Sequence, residues 1–122
     1  MKHTWDIVIN VVDATNLERN LNLTLQLLER HIPMIVALNL WDDAKHKGIT
    51  IDIEKLEELL SVPIVPTVAV SGEGIATLVQ RTKEARIKEI EPLTTDERWV
   101  EIGNIVTQAN MGEDTLPSFS ER

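Results

Sequence analysis

The sequence contains no cysteine. Disulfides and thiolate metal sites are therefore excluded, and nothing argues for an oxidising compartment. Aromatic residues make up only 3% of the chain, so its core must be aliphatic. No apolar run approaches the ~20 residues of a membrane span, and Met1-Lys2-His3 leads straight into a strand-like stretch, without a signal peptide. Positive charge is scarce, with 12 basic residues against 20 acidic ones and a net charge of -8. That balance argues against nucleic acid, whose phosphates require a basic patch. Among the five glycines, none is followed by Lys-Ser or Lys-Thr, so a phosphate-binding loop is absent from these residues. No aspartate is followed by glycine three positions later, which removes the usual magnesium and γ-phosphate switch of a GTPase.

What is present reads as an α/β chain. A length of 122 residues suits one domain, or one with a small appendage. Asp6 to Asp13 is a nearly continuous β-branched run, as expected of a strand buried on both faces. Leu17, Leu21, Leu25 and Leu28 then fall on one helical face, with Thr15 or Asn16 as the cap. Pro33 opens a second strand, Met34 to Leu38, which ends at Asn39. Gly48 closes a short helix over 43–47, and Asp52 caps a helix carrying Ile53, Leu56, Leu59 and Leu60. Pro63 leads into a third strand over 64–68. Ser71-Gly72-Glu73-Gly74 is a turn, followed by a helix with Ile75, Leu78 and Val79 inward. Alternating strands and helices specify an open parallel sheet, in which ligands sit beyond the carboxyl ends of the strands. Asn39 and Ala69 fall at two such ends.

Beyond Leu78 the composition changes. Arg81 to Glu91 reads as a solvated helical extension, broken by Pro92. Thr94 and Glu97 have capping-box spacing, and the helix they start carries Trp99, Ile102, Val106 and Ala109. That stripe requires a partner surface. Residues 110–122 read as a frayed tail.

Asn39-Leu40-Trp41-Asp42 matches the guanine-reading Asn-x-x-Asp motif. A carboxylate at a strand end can accept hydrogen bonds from guanine N1–H and its exocyclic amine, a pair that adenine does not offer. Bidentate base contacts of this kind discriminate by about 1–3 kcal/mol. Asn39 would hold the neighbouring loop and touch the base edge. The bland alternative is that Asp42 and Asp43 only begin a helix, where carboxylates suit the dipole. Thr67-Val68-Ala69-Val70-Ser71-Gly72 follows the next strand and matches the loop that offers a backbone N–H to guanine O6. It also reads as an ordinary strand-to-helix turn. Gly72-Glu73-Gly74 lacks the third glycine of a dinucleotide loop, since Thr77 stands there. His3, His31 and His46 have no metal-ligand spacing, and no Ser/His/Asp arrangement is present. Neither catalytic nor metal-ligating residues are assigned.

The stretch Val11-Val12-Asp13-Ala14-Thr15-Asn16-Leu17-Glu18-Arg19-Asn20-Leu21 is more specific. It resembles the cytosolic GTPase domain of the ferrous iron transport protein B family. The likeness continues through residues 23–29, Ile32-Pro33, Ala37-Leu38-Asn39, Gly48-Ile49, Val62-Pro63, Val65-Pro66-Thr67 and Gly72-Glu73-Gly74-Ile75. Glu97-Arg98-Trp99 and the helix to Ala109 are similar to the helical domain linking GTPase to membrane. Leu116-Pro117-Ser118-Phe119 resembles the approach to the first membrane segment.

The resemblance implies a partial P-loop-GTPase-type parallel sheet of three strands with flanking helices, plus a short helical appendage. Residues 1–80 would be the carboxyl-side half of the G domain, 81–109 part of the helical linker and 110–122 a flexible tail. Asn39 and Asp42 would read guanine, with Val68, Ala69 and Val70 lining the base loop. Leu40 stands where many GTPases have lysine, and Val68 where many have serine. The parent would bind and hydrolyse GTP to regulate Fe2+ uptake, with its G domain cytoplasmic and its anchor in the prokaryotic inner membrane. This chain alone would be inactive, binding GTP or GDP weakly or not at all, and Mg2+ would belong only to the complete domain. Its partners would be guanine nucleotide, the rest of the transporter or its amino-terminal half, and a second copy through the exposed strand edge. The alternative is an interaction or scaffold protein that binds no nucleotide.

Overall fold

A computed structural model describes residues 7–88 and 90–109. Its strands are β1 (Val8–Asp13), β2 (Met34–Asn39) and β3 (Ile64–Pro66). They form a parallel sheet in the order β1-β2-β3. Parallel neighbours need crossovers, supplied by α1 (Leu17–Leu28), between β1 and β2, and by α2 (Trp41–His46) and α3 (Ile53–Leu60), between β2 and β3. After β3 come α4 (Ile75–Arg81) and α5 (Thr95–Ala109). The class is the α/β parallel sheet that the strand and helix pattern implies.

The register sets Asp13 opposite Asn39 and Leu38 opposite Pro66. Thr67 N–H donates to the Leu38 carbonyl at 2.9 Å, which brings Thr67 beside Asn39. β2 is central, and Met34 through Leu38 are all buried. Alternate side chains leave opposite faces of a strand. Val12, Val36, Leu38 and Ile64 meet Leu21, Leu25, Leu56 and Leu60 on one side. Ile35, Ala37 and Val65 meet Leu78 on the other. A buried polar pair ties β1 to α1, where the Thr24 hydroxyl donates to Asn10 Oδ1 at 2.5 Å. Ile102, Ile105 and Ala109 join the larger cluster, so α1 and α3 are the partner surface that the α5 stripe requires.

Several local expectations are corrected. β1 is not buried on both faces: Ile9 and Val11 are 46% and 59% exposed, because α4 covers only β2 and β3. Neither Thr15 nor Asn16 caps α1 through its side chain. Instead Asp13 accepts the Thr15 amide at 2.8 Å and hydroxyl at 2.6 Å, capping a 3-10 turn over Ala14–Asn16. α2 starts at Trp41, and β3 is shorter than the apolar run. Ile75 and Val79 point outward, because the short α4 places only Leu78 in the sheet. On α5, Ile105 takes the inward place and Trp99 lies half-exposed at the rim.

The charged stretch after Arg81 is not a helical extension. After a 3-10 turn over Thr82–Glu84, it runs back to β2, where Met34 N–H donates to the Arg86 carbonyl at 2.8 Å and Arg86 N–H returns to Met34 at 3.1 Å. Buried backbone groups at a strand's start need such partners. Thr94 and Glu97 form the reciprocal capping box, with bonds of 3.1 and 2.9 Å. Asp6 and the expected tail at 110–122 lie outside the described residues.

Candidate functional site

The apolar run of β2 stops at a polar side chain, and that side chain joins two strand ends. Asn39 Oδ1 accepts the Ala69 amide at 3.1 Å and the Thr67 hydroxyl at 3.2 Å. The Ala69 donor fixes which end of the Asn39 amide is oxygen, and Nδ2 is left to donate elsewhere. A backbone bond parallels this link, as Trp41 N–H donates to the Thr67 carbonyl at 3.2 Å. Thr67 itself is 2% exposed.

Between Asn39 and α2 the chain turns at Leu40, which adopts φ 61° and ψ 35°. A left-handed conformation costs a branched residue about 1–2 kcal/mol, and here the surrounding bonds hold it. The turn places Asp42 in the first turn of α2, beside Asn39's loop. Asp42 Oδ1 accepts the Asp43 amide at 2.8 Å. Its carboxylate thus suits the helix dipole, and its second oxygen can still accept.

The loop beyond β3 closes on itself. Val68 N–H donates to the Glu73 carbonyl at 2.9 Å, and the Val68 carbonyl accepts Gly72 N–H at 2.8 Å and Ser71 N–H at 3.1 Å. Val68 is buried beneath the loop, whereas Ala69 is exposed and Val70 is 89% exposed. Gly72 and Gly74 have φ 84° and 85°, the left-handed backbone that glycine permits. A Cβ on Gly74 would stand 2.2 Å from the Pro66 carbonyl oxygen. No side chain fits there.

Asn39, Ala69 and the start of α2 therefore meet beyond the carboxyl ends of β2 and β3. Asp42 stands at the α2 side, Val70 at the outer tip of the loop and Val68 underneath. Thr67 stands in the loop motif that the sequence shows but has no role of its own there, and the left-handed Leu40 is not foreseen from the sequence. The role of Thr67 comes from the strand register, which sets it one residue past the Leu38–Pro66 pair.

A family model described as ferrous iron transport protein B matches residues 1–82. The chain is 56% identical over 73 residues to the Fe(2+) transporter FeoB of Salmonella typhimurium, a match covering 60% of this chain and 10% of that protein. It thus spans about a tenth of the length of the curated relatives it matches. The cytosolic domain of L. pneumophila FeoB superposes with a TM-score of 0.80 at 31% identity, covering 87% of this chain and 64% of that one. An S. thermophilus NFeoB mutant bound to GDP superposes with a TM-score of 0.63 at 41% identity, covering 72% of this chain and 35% of that one.

Proposed function

The chain belongs to the ferrous iron transport protein B family, and from that membership we propose that it carries the guanine-reading side of the family's nucleotide-binding domain. The observation that supports this most directly is the Asn39 side chain, which locks the Ala69 loop to the end of β2. That bond, with the Trp41 N–H bond to the Thr67 carbonyl, ties the start of α2 and the Ala69 loop to neighbouring strand ends. Asp42 accepts from guanine N1–H and the exocyclic amine, Asn39 Nδ2 donates to the base edge, and the loop backbone faces O6. Val68 supports the loop from below. The scaffold alternative is not favoured, because it gives no reason for this arrangement.

In the whole transporter, this site serves GTP binding and hydrolysis that regulate Fe2+ uptake at the cytoplasmic face of the membrane. Residues 1–80 form the carboxyl-side half of the G domain and 81–109 the start of the helical linker. Among the described residues, no helix is long and apolar enough to cross a membrane. Phosphoryl transfer depends on phosphate and magnesium ligands. The sequence offers no Gly-Lys-Ser/Thr to supply them, so this chain alone turns over no GTP, and Mg2+ joins only where phosphates are held. The edge of β1 pairs with the rest of the G domain in the transporter, and with a second copy when the chain is alone.

Titration with GDP and with ADP, followed by NMR, tests the base reading. GDP should shift the Ala69, Val70 and Asp42 resonances more than ADP does. Asp42→Asn should remove that preference, because an amide cannot accept both guanine bonds. Equal shifts for the two nucleotides, or a preference that survives Asp42→Asn, would count against the assignment.

A further inference from the structure

At the end of α4 far from the base loop, Arg81 closes a polar clamp that guanine contact does not require. Its Nη1 donates to Glu57 Oε2 at 2.9 Å and lies 3.5 Å from the Ile64 carbonyl oxygen. Its Nε donates to Glu84 Oε1 at 3.0 Å. The same Glu57 oxygen accepts the Ile64 amide at 2.9 Å. Both members of the Glu57–Arg81 pair are 29% exposed. Burial pulls the guanidinium pKa down, but the bonds and charges of Glu57 and Glu84 outweigh it and leave the pKa raised. One ion pair thus joins α3, the first residue of β3 and the last residue of α4.

Beyond this clamp, α4 is held by Leu78 and by its start at Gly74, which lies against Pro66. Its seven residues are too few for a helix to persist unaided. Leu78 is its one buried side chain, while Ile75 and Val79 face solvent. Its start is continuous with the loop, since Ile75 N–H donates to Gly72 and Leu78 N–H to Gly74. Movement of α4 therefore pulls on the segment that carries Ala69. The Ala69 amide is held by a single bond to Asn39, whose geometry needs both ends in place.

We propose that Glu57 and Arg81 are positioning residues for the base loop. Their ion pair fixes α4 against α3 and β3, and through α4 it sets the direction of the Ala69 amide. The consequence for base selectivity rests on the guanine reading, whereas the rigidity of the loop does not.

Amide-proton exchange measured by NMR on the full chain separates the two. Glu57→Gln keeps an acceptor for the Ile64 amide but loses the charge. Arg81→Met keeps the stem and loses the donors, and Arg81→Lys restores charge with a different head group. In the first two variants, Ala69 exchange is expected to accelerate about tenfold, while Leu38 and Leu56 exchange as before. Arg81→Lys should recover part of the protection. Unchanged exchange at Ala69, or an equal rise at Leu38 and Leu56, would overturn the proposal, the latter by making the pair a general stability element. If Arg81→Met fails to fold, Glu57→Gln and Arg81→Lys carry the comparison. GDP added to the unsubstituted chain is read at the same amide. An Ala69 shift of the same size with ADP would overturn the guanine reading and leave the exchange comparison standing.

Discussion

Gly74 passes so close to Pro66 that a Cβ would lie 2.2 Å from the proline's carbonyl oxygen. The contact is backbone against backbone, so no rotamer can relieve it. Gly74 also has φ 85°, which adds left-handed strain for any L side chain. Gly74→Ala is expected to destabilise the chain by at least about 2 kcal/mol, the sum of strain and overpacking. Gly72 shares the positive φ but has nothing within 4 Å of a built Cβ. Gly72→Ala should therefore cost about 1 kcal/mol, from the conformation alone. Urea unfolding of the two variants checks the difference, and equal losses would refute the close-contact argument.

Asn39 tests the loop in a different way. Asn39→Ala leaves the buried Thr67 hydroxyl and the Ala69 amide without their acceptor. Orphaning the buried hydroxyl costs about 1–3 kcal/mol, whereas water can take the acceptor's place at the exposed Ala69 amide. Asn39→Asp keeps an oxygen in place but loses both amide hydrogens. Stability should fall for Asn39→Ala and largely hold for Asn39→Asp, whereas GDP-induced shifts should weaken in both. Thermal melts and the same NMR titration decide it. A melt unchanged in Asn39→Ala would show that the Asn39 bonds do not hold the loop.

The parts legible in the sequence were those governed by local pattern. Leu17, Leu21, Leu25 and Leu28 repeat at helical spacing, and all are buried. Asp52 caps α3 as its position suggests, accepting the Lys55 amide at 3.1 Å. Asn39 was legible because a polar residue ends an apolar strand. What sequence could not supply were facts of packing between distant elements. Whether α4 rotates Leu78 or Val79 toward the sheet depends on the space between β2 and β3. The antiparallel return of Arg86 to Met34 depends on an unpaired strand start 52 residues earlier in the chain. Thr67 becomes a site residue only through the register.

The α4 orientation makes a direct comparison of two neighbours. Leu78 is 8% exposed among Ile35, Ala37 and Val65, while Val79 is 64% exposed. Leu78→Ala should cost about 2–4 kcal/mol through lost transfer energy and a cavity. Val79→Ala should stay within about 0.5 kcal/mol, as surface changes do. Denaturant midpoints of the two variants measure both. A large loss at Val79 would mean that this face is covered in solution.

The edge of β1 carries the last expectation. Among the described residues, only β2 pairs with β1, so one row of its backbone donors and acceptors faces outward. Ile9 and Val11 are exposed on the sheet face beside that edge. Natural edges are usually guarded by lysine, proline or a bulge. From Val8 to Val12 there is no charged residue and no proline, and Asp13 comes only at the strand's end. An edge without guards invites an extended strand from another molecule, and a second copy of the same run is always at hand. The isolated chain is therefore expected to associate as its concentration rises. Hydrogen exchange at Ile9 and Val11, whose amides face away from β2, should slow in step with light scattering. Val11→Lys places a charge on the exposed face without touching the larger core, so it should weaken association while leaving the fold intact. Ile9→Lys is a second test of the same kind. A chain that stays monomeric at every concentration, with these amides already protected, would show that the edge is satisfied without a partner.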